Sequence, residues 1–355
     1  MSKIGLKVIL IEKNDFPKHK VCGEYISNEI LPYLNWLSLN LSELNPAQIS
    51  KLNFSTADGK MISCNLPLGG FGVSRYSLDD YLCKKAIQNG CKIIKDTVEN
   101  IVFKNNLFTI STANHGIFVS ELAIGAFGKR SNLDNKLKRP FAFRKSQWLA
   151  VKAHFSGNFP NDTVGLHNFE GGYCGVSKVE NDNINICYLV NYTSFKKHKN
   201  IGDFQDQVIA KNQHLNTIFK NCTMLFDAPL TISQVSFDTK KTVENHILMI
   251  GDSAGLIHPL CGNGMAMAIH SAKIVSELIE KFYKNDIHSR EQLENIFTKE
   301  WNANFKNRLR TGRFLAFLLQ KKIISMVLMK IMTKFPSLLP ILIKQTHGKT
   351  IIVND

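Results

Sequence analysis

The sequence lacks several features that would assign it to a familiar class. Its 355 residues include eight cysteines, but no two form a C-x-x-C pair, which argues against a zinc ribbon or a thioredoxin-type motif. No apolar run approaches the roughly 20 residues that a membrane-spanning helix needs. Residues 1–5 lead directly into an apolar strand without the pattern of a signal peptide. We therefore expect a cytoplasmic protein with reduced thiols.

Acidic residues are also scarce. The 29 Asp and Glu are outnumbered by 44 Lys and Arg, which gives a formal net charge of +15. Such a balance is typical of proteins that bind nucleic acid, anionic lipid or acidic substrates, but it also results from lysines scattered over solvated faces. The lysines occur along the whole chain and form no block with interleaved aromatic residues, so we expect no nucleic-acid partner.

The C-terminal part is the exception to this scatter. Within residues 314–344, two apolar blocks at 323–329 and 335–343 lie among five lysines: Lys321, Lys322, Lys330, Lys334 and Lys344. One interpretation is a peripheral membrane-surface segment, so that the cytoplasmic protein would be membrane-associated. The other is a cap that packs over a substrate cavity and leaves its lysines in solvent. Both interpretations remain open.

Residues 246–273 contain the strongest local signal. The apolar run 247–250 predicts a short buried strand, which Gly251-Asp252 ends. Gly262 and Gly264 then flank Asn263, and apolar residues at helical spacing follow over 265–279. Glycines let a ligand approach the backbone closely, and the free N–H groups of a helix N-terminus favour negative charge. The stretch therefore predicts a strand, a glycine turn and a helix that bind a group which is or becomes anionic.

The order of these residues is more specific than a glycine-rich turn. G-D-x-A-G-x-x-x-P-x-x-G-x-G-M-x-x-A resembles the second flavin-binding signature of the FAD-dependent oxidoreductases that include aromatic hydroxylases, flavin halogenases and geranylgeranyl reductases. The resemblance implies that Asp252, after Gly251, contacts the ribityl chain of FAD and that Pro259 lies beside the isoalloxazine ring. It also implies that four residues offer backbone N–H groups to the N1/O2 edge of that ring: Gly262, Asn263, Gly264 and Met265.

A second part of the nucleotide site is expected near the start of the chain. The apolar run 6–11 predicts a central parallel strand, followed by Glu12-Lys13. An acidic residue there usually binds ribose hydroxyls in dinucleotide-binding folds, although Glu12 could equally be a strand-end charge. That fold also needs an earlier strand and a G-x-G-x-x-G loop, and the sequence contains no such loop. We therefore expect the chain to begin inside its nucleotide-binding domain, N-terminally truncated and without the main pyrophosphate cradle.

Two further segments resemble the same family. F-P-x-x-K-x-C-G-E resembles a segment that passes along the flavin, which implies that four residues lie near the cofactor: Lys20, Cys22, Gly23 and Glu24. S-R-x-x-L-D-x-x-L, over residues 74–82, resembles one in which the arginine, here Arg75, contacts the flavin nucleotide. From the residues alone, Lys20 could be a surface cation, Cys22 a buried small side chain and Arg75 a salt-bridge residue.

The family pattern is incomplete. Phe127 stands where the motif G-A-D-G-x-x-S has its aspartate, which indicates altered use of a nicotinamide donor. Residues 148–190 read as an antiparallel sheet, which in the family covers the flavin and binds the substrate. There G-G-Y-C-G-V replaces the Y-x-W-x-F-P of geranylgeranyl reductases, and we expect Tyr173 and Cys174 to line the substrate site. The W-x-W-x-I-P motif of halogenases is missing, so halogenation is disfavoured.

These features predict an α/β protein: a discontinuous Rossmann-like FAD-binding domain, an inserted antiparallel substrate-binding sheet of α+β type, and C-terminal helices. We expect the FAD-binding domain at residues 1–48, 75–140 and 236–285, and the substrate domain at 49–74 and 141–235. Residues 286–355 form the C-terminal helical segment.

The function implied by the resemblance is that of an FAD-dependent monooxygenase. It would use NAD(P)H to hydroxylate an apolar or aromatic small molecule, with the cofactor supplying the chemistry. Two alternatives remain open: a geranylgeranyl-reductase-like enzyme that reduces a lipid double bond, and a remnant that binds FAD weakly or not at all. The sequence shows no Ser-His-Asp set and no metal cluster, so we predict no specific catalytic residue and no metal site.

Overall fold

The computed structural model describes residues 1–353. Its strands are β1 (Ile9–Glu12), β2 (Tyr25–Ser27), β3 (Ala47–Ser55), β4 (Met61–Gly72), β5 (Lys92–Lys95), β6 (Val98–Lys104), β7 (Leu107–Thr112), β8 (Ile117–Ser120), β9 (Ile124–Gly125), β10 (Trp148–Ser156), β11 (Thr163–Phe169), β12 (Gly172–Lys178), β13 (Ile184–Asn191), β14 (Thr223–Met224), β15 (Leu230–Ser233), β16 (Val243–Glu244) and β17 (Ile247–Met249). Its α-helices are α1 (Leu31–Trp36), α2 (Arg75–Gln88), α3 (Asn132–Lys136), α4 (Tyr192–Phe195), α5 (Ile201–Gln207), α6 (Gln213–Asn221), α7 (Gly264–Tyr283), α8 (Arg290–Gln320), α9 (Lys322–Lys334) and α10 (Leu338–Thr346).

Short parallel strands form the nucleotide-binding side. β17 is parallel to β9, and its three apolar residues are buried, as expected of a central strand. β1 is parallel to β5, with Glu12 opposite Lys95 at the end of the pair. The strand expected over residues 6–11 is shorter than predicted, and the side chains of Ile9 and Leu10 are exposed. Within residues 1–353, β1 is therefore not the buried central strand that the apolar run indicates.

A larger sheet forms the substrate side. Among the described residues its strand order is β14-β10-β13-β12-β11-β3-β4-β2, and β15 also pairs with β10. β3 and β4 form an antiparallel hairpin that turns at Asp58-Gly59. The sheet is mixed rather than purely antiparallel, because β3 runs parallel to β11. These two strands are joined through much of the nucleotide-binding side, so no tight turn forces them to be antiparallel.

Helices cover the large sheet on one face. Val151, Ala153 and Phe155 of β10 point into a core that α5 and α6 complete. Because side chains alternate along a strand, Trp148 and Ala150 lie on the opposite face. That face turns toward Leu260, which belongs to the loop before α7. A separate core packs β17, α7 and α8 together. The expected architecture of a nucleotide-binding side, a substrate sheet and C-terminal helices is confirmed.

Polar side chains that bond to the backbone set several helix ends. The cap of α2 is Ser74, whose hydroxyl accepts the N–H of Ser77. α5 and α6 are separate helices, because Asn212 caps α6. α1 ends before Ser38, which has φ 60°.

The packing of α8 can be tested with two phenylalanines on that helix. Phe297 is fully buried in the core with α7, whereas Phe317 is 55% exposed. We expect Phe297→Ala to lower the free energy of unfolding by about 3–5 kcal/mol, because it leaves a cavity. We expect Phe317→Ala to change it by less than about 0.5 kcal/mol. Urea denaturation measures both values, and equal losses would contradict this orientation of α8.

Candidate functional site

The predicted glycine turn forms directly before α7. Pro259–Cys261 makes a short 3-10 turn, and Gly262 ends it with φ 63° and ψ 20°. A Cβ at Gly262 would lie 3.1 Å from the ring of Tyr25, so both backbone conformation and space require glycine there. Gly264 starts α7, which extends over 20 residues, and Met265 packs beside it in a partly buried position. The predicted strand, glycine turn and helix are confirmed.

The N-terminus of α7 presents backbone donors that no side-chain cap satisfies. Asn263 occupies the cap position, but in the part of the chain that the structure describes its side chain makes no capping hydrogen bond. The first N–H groups of a helix have no acceptor within the helix, and the helix dipole favours negative charge beside them. The turn therefore fits the edge of a flavin ring that becomes anionic on reduction.

A buried carboxylate, Glu29, holds this turn in place. Its Oε2 accepts hydrogen bonds from Asn263 Nδ2 at 3.2 Å and from the backbone N–H of Gly348 at 2.6 Å. Its Oε1 accepts a hydrogen bond from Arg308 Nη1 at 3.1 Å. Glu29 is fully buried, so each bond acts in a medium of low dielectric constant. The side chain of Asn263 is thus used to fix the turn rather than to cap α7.

Asp252 follows β17, as the motif requires. The adjacent Gly251 has φ 55° and donates its N–H to Ser271 Oγ at 2.9 Å. The carbonyl of Asp252 accepts a hydrogen bond from Lys240 Nζ at 2.6 Å. Burial lowers the pKa of Lys240 to about 8, against the opposing charge of Asp252. Lys240 is a residue near the site that the sequence did not indicate.

Arg75 lies close to the predicted site but is held in an ion pair. Its Nε and Nη2 donate to Asp79 at 2.6 and 2.7 Å, and Lys20 Nζ lies 2.9 Å from the same carboxylate. Burial opposes the charge of Arg75, but the hydrogen bonds and the charge of Asp79 raise its pKa. Arg75 therefore makes the salt bridge that one interpretation expects. Its contact with the flavin nucleotide stays a prediction.

Glu12 ends β1, where a ribose partner is expected. Its Oε1 accepts hydrogen bonds from the backbone N–H and the side-chain amide of Asn14, at 2.9 and 2.7 Å. Lys13 points into solvent. Glu12 thus stabilises the turn after its own strand, and its contact with a ribose stays a prediction.

Glu24 lies at the centre of a buried polar cluster. It follows Gly23 and Cys22 with φ 54°, and its side chain is fully buried. Its Oε1 accepts hydrogen bonds from Lys152 Nζ at 3.0 Å and from the backbone N–H of Arg75 at 2.8 Å. Its Oε2 lies 2.6 Å from His154 Nε2. Glu24 therefore joins the segment after β1 to strand β10 of the substrate sheet.

His19 extends the Glu24 cluster toward the surface. His19, Glu24 and His154 place potential metal-ligand atoms within 4.8 Å of one another, a grouping that the sequence did not indicate. Burial and the charge of Lys152 lower the pKa of His19 to about 4, so that His19 is neutral at pH 7. However, the buried ammonium of Lys152 already neutralises Glu24, and a divalent cation would add uncompensated charge. The geometry therefore favours a proton-holding cluster over a metal site.

An apolar wall faces the loop that precedes the glycine turn. Trp148, Ala150, Tyr173, Leu189 and Phe237 pack with Leu260, the neighbour of Pro259. Burial lowers the pKa of His258 to about 4, and its neutral ring lies 5.7 Å from the Tyr173 ring and 4.7 Å from the Phe237 ring. Tyr173 therefore lies where a substrate-lining residue is expected.

Cys174 does not share that position. Consecutive residues of a strand point to opposite faces, and Cys174 is fully buried in the core that α5 and α6 complete. This placement contradicts the predicted substrate-lining role of Cys174.

The most important residues that sequence reasoning missed are Lys152 and His154. The only signal was their alternation within the apolar run of β10, L-A-V-K-A-H-F, which places both on one face of the strand. A polar pair inside a buried strand needs partners, but its partner, Glu24, lies far away in the sequence.

The chain is similar in sequence to several known proteins. Residues 212–321 match the squalene epoxidase family. A digeranylgeranylglycerophospholipid reductase 3 of Methanosphaera stadtmanae is 22% identical over 319 residues, which cover 82% of this chain and 76% of that protein. Conditioned medium factor receptor 1 of Dictyostelium discoideum is 22% identical over 336 residues, which cover 86% of this chain. The aligned region spans 64% of the length of that receptor.

Solved structures show the same fold. The flavin-dependent brominase Bmp2 superposes with a TM-score of 0.79 at 16% identity, covering 97% of this chain and 88% of that protein. At this identity the likeness establishes the fold and not the reaction. Together with the sequence relatives and the glycine turn at α7, it supports an affiliation of this chain with the superfamily of FAD-dependent oxidoreductases.

Proposed function

We propose that this chain is an FAD-dependent oxidoreductase that reduces a carbon–carbon double bond of an apolar, lipid-like molecule. The apolar wall opposite the loop at Pro259 carries the proposal, because a substrate between that wall and a flavin would be surrounded by Trp148, Tyr173 and Phe237. The relatives named as digeranylgeranylglycerophospholipid reductases support the class of substrate.

The residues around the glycine turn fit the ring end of FAD. Gly262 and Gly264 permit close approach of the ring, and α7 offers donors at its anionic edge. Asp252, which lies directly after β17, would contact the ribityl chain. Bound FAD would supply the hydride, while the chain binds the ring, orients the substrate and excludes water. NAD(P)H is the proposed electron donor.

Reduction of a double bond also needs a proton. His154 and Glu24 share a hydrogen bond of 2.6 Å between Nε2 and Oε2, on the sheet face that carries Ala150 and Trp148. Lys152 compensates the carboxylate charge from the other side. A buried, hydrogen-bonded pair of this kind can hold a proton near the substrate and replace it from His19, which lies closer to solvent.

Hydroxylation is the second candidate. The match of residues 212–321 to the squalene epoxidase family favours it, because that family inserts oxygen. The match covers the glycine turn and much of α8 but not β10 to β13, whereas the reductase alignments cover most of the chain. We therefore place reduction first and NAD(P)H-dependent hydroxylation second.

Oxygen dependence distinguishes the two reactions. The chain would be loaded with FAD, reduced without oxygen by NADPH or by dithionite, and mixed with a lipid carrying geranylgeranyl chains. We expect the flavin to be reoxidised without oxygen and the lipid to gain two hydrogen atoms for each double bond reduced. Absorbance follows the oxidation state of the flavin, and mass spectrometry follows the mass of the lipid. If NADPH does not reduce the flavin, dithionite does, so that the reaction of the reduced flavin with the lipid is still tested.

Two results would contradict the proposed reduction. Reoxidation that requires oxygen, with an oxygen atom added to the lipid, would establish the hydroxylase instead. A chain that retains no FAD after reconstitution would show that it does not act as a flavoenzyme.

The proton-holding cluster makes a second prediction. We expect His154→Gln to slow lipid-dependent reoxidation about 100-fold, because it removes the proton donor. FAD affinity and the rate of flavin reduction should be unchanged. His167→Gln is the matched control, since His167 is also a buried histidine of the same sheet but bonds to Ser55. Equal losses in both variants would refute a specific role for His154.

A further inference from the structure

The C-terminal helices leave a large apolar surface uncovered among the described residues. We call it the C-terminal apolar surface and define it by eight exposed side chains: Phe314, Phe317, Ile323, Val327, Ile331, Phe335, Leu338 and Ile341. They belong to the end of α8, to α9, to the connection after it and to α10. Contiguous exposed apolar areas of this kind mark sites of protein or membrane contact.

The apolar residues of α9 form two separate faces. Met329 and Met332 are buried, and Met332 packs with Leu339 and Ile343 of α10 against the large sheet. Ile323, Val327 and Ile331 recur every fourth residue and form a stripe that faces solvent. Packing on the protein therefore explains only one face of α9. The packed face fits the cap interpretation left open by the sequence, and the exposed face is the one that a membrane-surface segment would use.

The charged side chains around this surface are all basic. Residues 301–354 contain ten lysines and arginines and no aspartate or glutamate. Lys321, Lys330, Lys334 and Lys344 are exposed beside the apolar side chains. An apolar stripe bordered by lysines is complementary to an anionic lipid surface, where the lysines reach the headgroups and the apolar side chains enter the acyl boundary.

The geometry suits a segment that lies in the membrane surface. In residues 1–353 no single helix is long and apolar enough to cross a membrane, and the one pair of helices that together meet the length and composition test is bent by 118°. α9 has 13 residues and α10 has nine, so they are about 20 and 14 Å long, shorter than the roughly 30 Å of a hydrocarbon core.

We propose that the C-terminal apolar surface binds the face of an anionic lipid bilayer, with α9 and α10 lying in the interfacial plane. Binding would bring the large sheet, against which α10 packs, close to the lipid. This proposal rests on exposure, charge and helix length, and it holds whether or not the chain catalyses the reaction proposed above.

Vesicle sedimentation tests the proposal on the full chain. We expect the protein to sediment with phosphatidylglycerol-containing vesicles and much less with vesicles of phosphatidylcholine alone, and to be released by high salt. The double variant Ile323→Glu/Ile331→Glu should lose at least tenfold in partition coefficient, because two charges enter the apolar stripe. Lys330→Gln should lose about fivefold, since each lysine near an anionic surface contributes that factor.

The matched control places the same charges on another exposed apolar pair. Ile117 and Val119 of β8 are 66% and 62% exposed and lie outside the C-terminal helices. Ile117→Glu/Val119→Glu should bind vesicles as the parent does, and circular dichroism should show that all variants are folded. Absence of binding to anionic vesicles, or an equal loss in the β8 variant, would overturn the proposal. Concentration-dependent dimers that the α9 variant abolishes, without vesicle binding, would assign the surface to a second copy instead.

Discussion

The structure depends most on one short segment, residues 24–29, which carries two fully buried glutamates. The carboxylate of Glu29 accepts hydrogen bonds from Arg308 of α8, from Asn263 of the glycine turn and from the backbone N–H of Gly348 after α10. Glu24 lies at the other end of the segment. Its carboxylate is hydrogen-bonded to Lys152 and His154 of the large sheet and to the first backbone N–H of α2. Removing one partner of a buried ion pair typically costs about 3–5 kcal/mol, because the other charge remains buried. The segment therefore fixes the two halves of the site relative to each other.

This arrangement explains why the flavin turn and the apolar wall face one another. Tyr25, between the two glutamates, lies against Gly262 and donates a hydrogen bond to the carbonyl of Gly69 at 3.2 Å. Its neighbours in β2 pair with β4 of the large sheet. The same few residues thus contact both the glycine turn and the large sheet. A site between two such bodies can exclude water, as the proposed hydride transfer requires.

Elements of the fold that depend on local sequence patterns could be predicted from the sequence. The strand, glycine turn and helix around Gly262 were predicted because turn glycines, helical spacing and a buried apolar run are local features. Tyr173 lies on the sheet face turned toward Leu260, whereas Cys174 points into the opposite core, and the sequence does not say which of two adjacent strand residues faces the core. Lys152, His154 and Lys240 were missed because their partners are distant in the sequence. The parallel pairing of β3 with β11 could not be predicted from local patterns either, because tertiary packing decides which strands pair.

The central claim is that the turn before α7 receives the ring end of FAD, and equilibrium titration with FAD tests it most directly. The account predicts that the chain binds one FAD and quenches or shifts its fluorescence. Gly262→Val should weaken that affinity at least tenfold, because a side chain there meets the ring of Tyr25. Gly116→Val, which also changes a glycine with positive φ but in the β7–β8 turn, should bind FAD like the parent. A parent chain without FAD binding, or equal affinity in both variants, would contradict the claim.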